Sequence, residues 1–135
     1  MRKWIYLEQI SHLEKSGLID GYYAHINVSK IGVVTTMILL KTKTTPKEKE
    51  EYLERISKIE NVYSVCEIIG NYDIIIGIYS KTEKEKNEIL DEILKESFIT
   101  DFDISNVQTK FPQLSYIEEM FKIAKKSKDV SEEEL

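Results

Sequence analysis

Ile68-Ile69-Gly70-Asn71-Tyr72-Asp73-Ile74-Ile75-Ile76-Gly77-Ile78-Tyr79 is a short polar turn, Gly-Asn-Tyr-Asp, with a β-branched run on either side. Residues 62–69 read as one strand and 73–79 as the next, with Gly70-Asn71 supplying the backbone freedom of a tight reversal. The second run has almost no polar side chain, so a central strand covered on both faces is expected. A Tyr-Asp pair at its mouth sets an aromatic ring and a carboxylate beside a buried sheet. That arrangement suits a small polar ligand; the bland alternative is a solvated turn carboxylate.

Helix signals flank this pair of strands. Thr45-Pro46-Lys47-Glu48 opens a helix, with Thr45 as cap and Pro46 at the first helical position. Its apolar stripe is Tyr52, Leu53, Ile56 and Ile59. Thr82-Glu83-Lys84-Glu85 opens a second, whose stripe is Ile89, Leu90, Ile93 and Leu94. Outside these helices lie two more strands, 33–41 and 100–110, the latter broken by Pro112. In the last strand Phe102, Ile104 and Asn106 face one way, and Asp101, Asp103, Ser105 and Val107 the other. The order strand, helix, strand, strand, helix, strand predicts an α+β, ferredoxin-like βαββαβ domain with both helices on one sheet face. Strand 33–41 alternates Val34, Thr36, Ile38, Leu40 with Val33, Thr35, Met37, Leu39, so both faces are apolar. Two helices cover one; a second copy of the chain is the economical cover for the other, giving a dimeric sandwich.

The chain has a helix at each end. Residues 2–16 carry Trp4, Leu7, Ile10 and Leu13 at three-residue intervals, close enough to the helical period for one apolar stripe, and Gly17 stops the helix. Asp20-Gly21 then reads as a turn before a short strand, and 27–32 as a connector. A third capping signal, Ser115-Tyr116-Ile117-Glu118, opens a tail helix with the stripe Ile117, Met120, Phe121, Ala124. Its dock is either the body or a partner subunit, and 125–135 are expected to fray. The expected organisation is therefore 1–20, 21–32 (hinge strand and connector), 33–111 and 112–135.

Composition narrows the function classes. No apolar run approaches the length of a membrane span and no signal peptide precedes the first helix, so a cytoplasmic setting is expected. The lone Cys66 excludes a disulfide framework and reads as a small core residue. Of the formal net charge of −5, four negative charges belong to Asp129, Glu132, Glu133 and Glu134, which leaves the body near neutral. A near-neutral body has no electrostatic footprint for non-specific nucleic-acid binding. No phosphate-cradling glycine loop, paired Cys/His metal spacing or nucleophile elbow is present. His12 and His25 sit in different expected elements and read as surface or packing residues. Asp101 and Asp103 share a strand face, where solvated carboxylates are the simpler reading than a proton-sharing pair. No catalytic residue, metal site or cofactor is expected, and a small ferredoxin-like enzyme ranks third among the readings.

Two motifs carry a resemblance. His12-Leu13-Glu14-Lys15-Ser16-Gly17-Leu18-Ile19-Asp20-Gly21-Tyr22 is similar to the end of the recognition helix and the hinge of leucine-responsive/asparagine regulator (Lrp/AsnC) transcription factors. Gly70-Asn71-Tyr72-Asp73 resembles the signature turn of that family's amino-acid-sensing (RAM) domain, and Asn61-Val62-Tyr63-Ser64-Val65 the strand before it. The match runs from about residue 10 to 111. It implies stacked dimers, higher rings, and an amino acid or similar small effector bound between subunits near the turn and the final strand. Carried over residue by residue, Gly70, Tyr72 and Asp73 match the motif. Thr100, Asp101 and Ser105 are weaker candidates, because the final strand lacks the family's threonine-rich run.

The front departs further from the family. Two helices that would complete a helix-turn-helix are not in this sequence, and Leu7-Glu8-Gln9-Ile10-Ser11-His12 contains no Lys or Arg. Phosphate contacts come chiefly from those residues. Arg2, Lys3, Tyr6, Gln9 and Lys15 are what remain as DNA-contact candidates. The leading expectation is thus the sensing and oligomerising half of a regulator, partnered by itself or by a full-length relative. The alternative is an intact DNA-binding regulator acting through the first helix or an upstream segment.

Overall fold

A computed structural model describes residues 2–24, 26–108, 110 and 116–127. The chain forms two units, one of Met1–Ile26 with Lys110–Leu135 and one of Asn27–Thr109. The second unit is the ferredoxin-like α+β domain. Its elements are β1 (Val34–Thr42), α2 (Pro46–Ser57), β2 (Val62–Glu67), β3 (Ile74–Ser80), α3 (Glu83–Leu94) and β4 (Ile99–Val107), preceded by a 3-10 turn at Val28–Ile31. The helix ahead of them, α1, spans Arg2–Lys15, and α4 spans Tyr116–Ser127.

The sheet order is β2-β3-β1-β4, antiparallel throughout, so the run 74–80 is central as its sequence requires. Ile38 faces Ile76 and Leu40 faces Ile74 across the β1–β3 pair. On this face Thr36, Ile38, Leu40, Ile74, Ile76 and Ile78 are fully buried, and Tyr52, Ile56, Ile89, Leu90 and Ile93 of the two helices close over them. Each helix begins on its expected cap: Thr45 Oγ1 accepts from the Glu48 amide at 3.2 Å and Thr82 Oγ1 from the Glu85 amide at 3.1 Å. Arg55 ties α2 to α3, donating to Glu92 at 3.0 Å and Glu96 at 2.7 Å while stacking 5.4 Å from the Tyr52 ring centroid. Tyr52 donates to the Ile93 carbonyl at 2.6 Å, so its ring is buried without an orphaned hydroxyl.

The opposite face of the sheet has no helix from this unit. Thr35, Met37 and Leu39 of β1 and Ile75 and Tyr79 of β3 are only half-buried. The expected cover on both faces of the central strand is therefore present on one face only within the unit. Cys66, read as a core residue, is exposed on the bare side, because β2 sets it opposite Ile75 rather than toward the helices. One aromatic ring lies across the bare side from within. Tyr63 stacks on Tyr79 at 4.2 Å and donates to the Met37 sulfur at 3.4 Å. Its ring crosses Gly77 so closely that a Cβ there would meet the Tyr63 hydroxyl oxygen at 2.7 Å. Gly77 is the one place in the apolar run where no other residue fits beside that ring.

Three further expectations change. Gly70 does not adopt a left-handed backbone, and nothing lies within 4 Å of where its Cβ would be, so neither the turn nor its packing demands glycine there. No strand forms among the described residues of 20–27, because an extended segment with no ladder partner has its donors and acceptors left to water. The three-residue spacing of Trp4, Leu7, Ile10 and Leu13 does not make a stripe: each step falls about 60° short of a full turn, so the set winds halfway round α1. Trp4 and Leu7 are 72% and 61% exposed. Gly17 does stop α1, at φ +82°, with the Ile19 amide donating back to the Leu13 carbonyl at 3.1 Å. Of the tail expected to fray, 125–127 are the last residues of α4, while 128–135, like Pro112, Ser115 and His25, lie outside the described residues.

Two substitutions test this packing by urea unfolding at fixed protein concentration. Ile76→Ala is expected to cost about 2–5 kcal/mol, the range for opening a cavity at a fully buried site. Gly77→Ala is expected to cost about 1 kcal/mol by pushing the Tyr63 ring off Tyr79, and much less when Tyr63 is already alanine.

Candidate functional site

The turn joining β2 to β3 is held from below by the end of β1. The Ile68 amide donates to the Asp73 carbonyl at 2.8 Å and closes the turn, and the Asp73 amide donates to the Leu40 carbonyl at 2.8 Å. Asp73 Oδ2 then accepts from the Thr42 amide at 2.7 Å and the Thr42 hydroxyl at 3.1 Å. The Thr42 amide holds this carboxyl below its usual range; partial burial opposes that, and the Thr42 hydroxyl, Lys49 and Lys41 reinforce it. Asp73 is thus an ionised brace first. A carboxylate can accept more bonds than the two it makes here, so it can still receive an ammonium or an N–H.

The other candidates sort by distance from this brace. Tyr72 is half-buried at the turn, while Gly70 and Asn71 are exposed and Ile69 stands fully in solvent. On the far side of β1, the start of β4 reaches the same end of the sheet. Lys41 lies opposite Asp101, Thr42 opposite Ile99, and the ladder shifts register between them. The Thr100 hydroxyl donates to the Lys41 carbonyl at 3.2 Å, and Asp101 Oδ1 accepts from the Phe102 amide at 2.9 Å. Gly70, Tyr72, Asp73, Thr100 and Asp101 therefore belong to one end of the sheet, on two flanks of Lys41–Thr42. Ser105 does not join them: it sits opposite Met37, roughly 13 Å further along the strand. The residue that sequence reasoning passed over is Thr42. Its signal is indirect, since pairing the two central strands by their apolar alternation brings the Asp73 turn onto the end of β1.

The DNA-contact candidates lie on α1. Lys3, Tyr6, Gln9 and Lys15 are all exposed. Lys3, Tyr6 and Gln9 share about a third of the helix circumference, whereas Lys15 lies about half a turn away from Tyr6. Arg2 contributes backbone to the first turn. Glu14, one of two carboxylates on the helix, accepts from the Tyr22 hydroxyl at 2.5 Å. An open groove runs along the helix past Trp4, Leu7, Ser11 and His12.

Among the described residues, no three His, Cys, Asp or Glu side chains are arranged to hold a metal ion. None of the described helices is long and apolar enough to cross a membrane. The acidic groups that shift, Asp73 and Glu92, both move toward stronger acidity, Glu92 chiefly through its hydrogen bond from Lys95. That direction is opposite to a carboxyl tuned to donate a proton near neutral pH.

No protein-family model matches the chain. The HTH-type transcriptional regulator FL11 of Pyrococcus abyssi is 32% identical over 87 residues, covering 64% of this chain and 56% of that protein. The chain thus spans a little over half the length of the curated relatives it matches. Among solved structures, PH0061 of Pyrococcus horikoshii superposes with a TM-score of 0.70 at 24% identity, over 84% of this chain and 76% of that one. The transcriptional regulator NMB0573 of Neisseria meningitidis, solved as its L-Met complex, gives 0.68 at 17% identity, over 81% and 72%. Escherichia coli AsnC gives 0.67 at 16% identity, over 84% and 76%.

The Asp73 brace has a pH signature. Its carboxyl is more acidic folded than unfolded, so its stabilisation is complete above the ordinary carboxyl range and is lost as pH falls through the lower folded value. Asp73→Asn is expected to destabilise the domain by about 1.5–3 kcal/mol near neutral pH, the range for hydrogen bonds to a charged acceptor. Unfolding curves of wild type and variant should begin to converge as pH drops below about 4 and meet once pH is under the lower folded value; a gap that stays constant through that range contradicts an ionised brace.

Proposed function

We propose that this chain is a member of the Lrp/AsnC family of transcriptional regulators and serves as its sensing and oligomerising module. Copies close over each other's bare sheet face, and an amino acid or similar small molecule binds between copies beside the turn of residues 70–73. In the cytoplasm it acts on transcription by assembling with itself or with a full-length relative. The observation that carries this reading is the half-buried apolar face of Met37, Leu39, Ile75 and Tyr79, which no helix of the domain covers. Two such faces brought together remove apolar area from water at about 25 cal/mol per Å², the usual driving force for sheet-on-sheet packing.

The effector reading draws support from chemistry at one end of the sheet. Asp73 and Asp101 offer carboxylates to an ammonium and Lys41 offers a cation to a carboxylate, with Tyr72 half-buried at the turn. A regulator of the same fold, from Neisseria, is known as its complex with L-Met, which supports this choice of ligand class. Gly70, with open space over its α-carbon, suits close approach of a ligand or a second backbone.

A second reading, direct DNA binding through α1, is favoured by the shared exposed side of Lys3, Tyr6 and Gln9. Gel shift on the gene's own upstream region, in a salt series, separates the two. A sequence-specific complex whose affinity falls steeply with salt and is lost in Lys3→Ala/Gln9→Ala supports the second reading.

Light scattering on the full chain should give a dimer or a multiple of it, and Leu39→Glu should lower the mass toward one chain by burying an unpaired charge in the contact. A wild-type monomer overturns the assembly reading. Thermal unfolding across a panel of amino acids should show one or a few ligands raising the midpoint in wild type and failing to do so in Asp73→Ala, since only a ligand of the folded state stabilises it.

A further inference from the structure

The end of β1 is tied to both of its neighbours in the sheet. Across the β1–β4 ladder Lys41 lies opposite Asp101 and Thr42 opposite Ile99, so Thr100 is an extra residue with no partner opposite it, a β-bulge. The Thr100 hydroxyl donates to the Lys41 carbonyl at 3.2 Å, and the Lys43 amide donates to the Phe98 carbonyl at 2.9 Å. Phe98 is itself seated edge-on against Tyr52 of α2, with ring centroids 5.2 Å apart. Thr42 is therefore pinned to the start of β4 through the residues on either side of it. In the other direction it reaches Asp73. Its amide, at 2.7 Å, and its hydroxyl, at 3.1 Å, both end on the same carboxylate oxygen, Oδ2.

Two donors on one oxygen do what one does not. A single N–H···O bond leaves a carboxylate able to swing about that bond, whereas a second donor, offset by the side chain of the same residue, fixes its plane. Threonine is stiff at its first side-chain torsion, so the hydroxyl holds its place with little further ordering. With Oδ2 so engaged, Oδ1 is the oxygen left to accept from a ligand. Given an amino acid bound beside the turn of residues 70–73, the reading on which this rests, we propose that Thr42 is the positioning residue of that site. It sets Oδ1 of Asp73 for the ligand's ammonium and fixes that carboxylate relative to Thr100 and Asp101 on the far side of β1. Removing the Thr42 hydroxyl leaves Asp73, Asp101, Lys41 and Lys49 all in the chain, so a loss of affinity would come from geometry rather than from a missing charge. A hydroxyl that only braces the fold acts differently: its loss lowers the stability of free and bound protein alike and leaves the affinity unchanged.

The experiment compares wild type, Thr42→Val and Thr42→Ser in the native chain. Calorimetric titration with each standard L-amino acid gives the affinity, and the Asp73 side-chain carboxyl resonance, followed by NMR as pH is lowered, reports on the hydrogen bonds themselves. Thr42→Val keeps the shape, the branching and the amide but loses the donor. It is expected to bind the amino acid that wild type binds about tenfold more weakly, the effect of one hydrogen bond to a charged acceptor. Its Asp73 is expected to titrate at higher pH than in wild type. Thr42→Ser keeps the donor and is expected to stay within about threefold of wild-type affinity, with Asp73 titrating nearly as in wild type. Wild-type affinity in Thr42→Val, or an Asp73 titration unmoved by it, overturns the positioning role and leaves the site standing. So does a serine variant that binds as weakly as the valine variant while its Asp73 titrates as in wild type. Wild-type protein that binds no amino acid overturns the site itself, and the role of Thr42 with it.

Discussion

A four-stranded antiparallel sheet with two helices has one face to spare. The connections that make βαββαβ send both helices to the same side, where Ile38, Leu40, Ile74, Ile76 and Ile78 are sealed beneath them. The other side is written in the same alphabet: Met37, Leu39, Ile75 and Tyr79 stand where a solvated face would carry polar residues. Tyr63 goes part of the way, lying over Gly77 and against Tyr79. One ring does not roof a sheet. The need to cover this surface underlies the proposed assembly, in which a second copy is brought onto it and a small molecule binds between the copies.

In the turn of residues 68–73 the proposed ligand position and a structural brace share one side chain, Asp73. Asp73 fixes the entry of β3 against the end of β1 through Thr42, and so holds Tyr72 and Gly70 at a set place at the sheet end. A ligand arriving there meets a preformed edge rather than a loose loop, which lowers the ordering it must impose. Lys49 and Lys41 reach the same carboxylate electrostatically and help keep it ionised.

Much of the fold is legible in the sequence because its signals are local. Thr45-Pro46 and Thr82 cap their helices as their spacing requires, and the uninterrupted apolar run at 74–78 marks the strand with neighbours on both sides. What escaped is what depends on distant pairing. Cys66 sits in a strand, but which face it takes follows from the register of β2 against β3, including the shift between Val62 and Ser64. Thr42 looks like any strand end until Asp73 is brought beneath it. Gly77 looks like a weak point in a strand until the Tyr63 ring is seen across it. The site is less legible than the fold, since Ser105 shares a strand with Thr100 and Asp101 yet lies well along the sheet from them.

The most direct test of the covered face is the rate at which a thiol reagent labels Cys66 in the native chain. Cys66 is the sole cysteine and projects, exposed, from the bare side of a single copy. If a second copy closes over that side, labelling is slow at high protein concentration and quickens on dilution in step with dissociation. Labelling as fast as in the unfolded chain, at every concentration, contradicts the account.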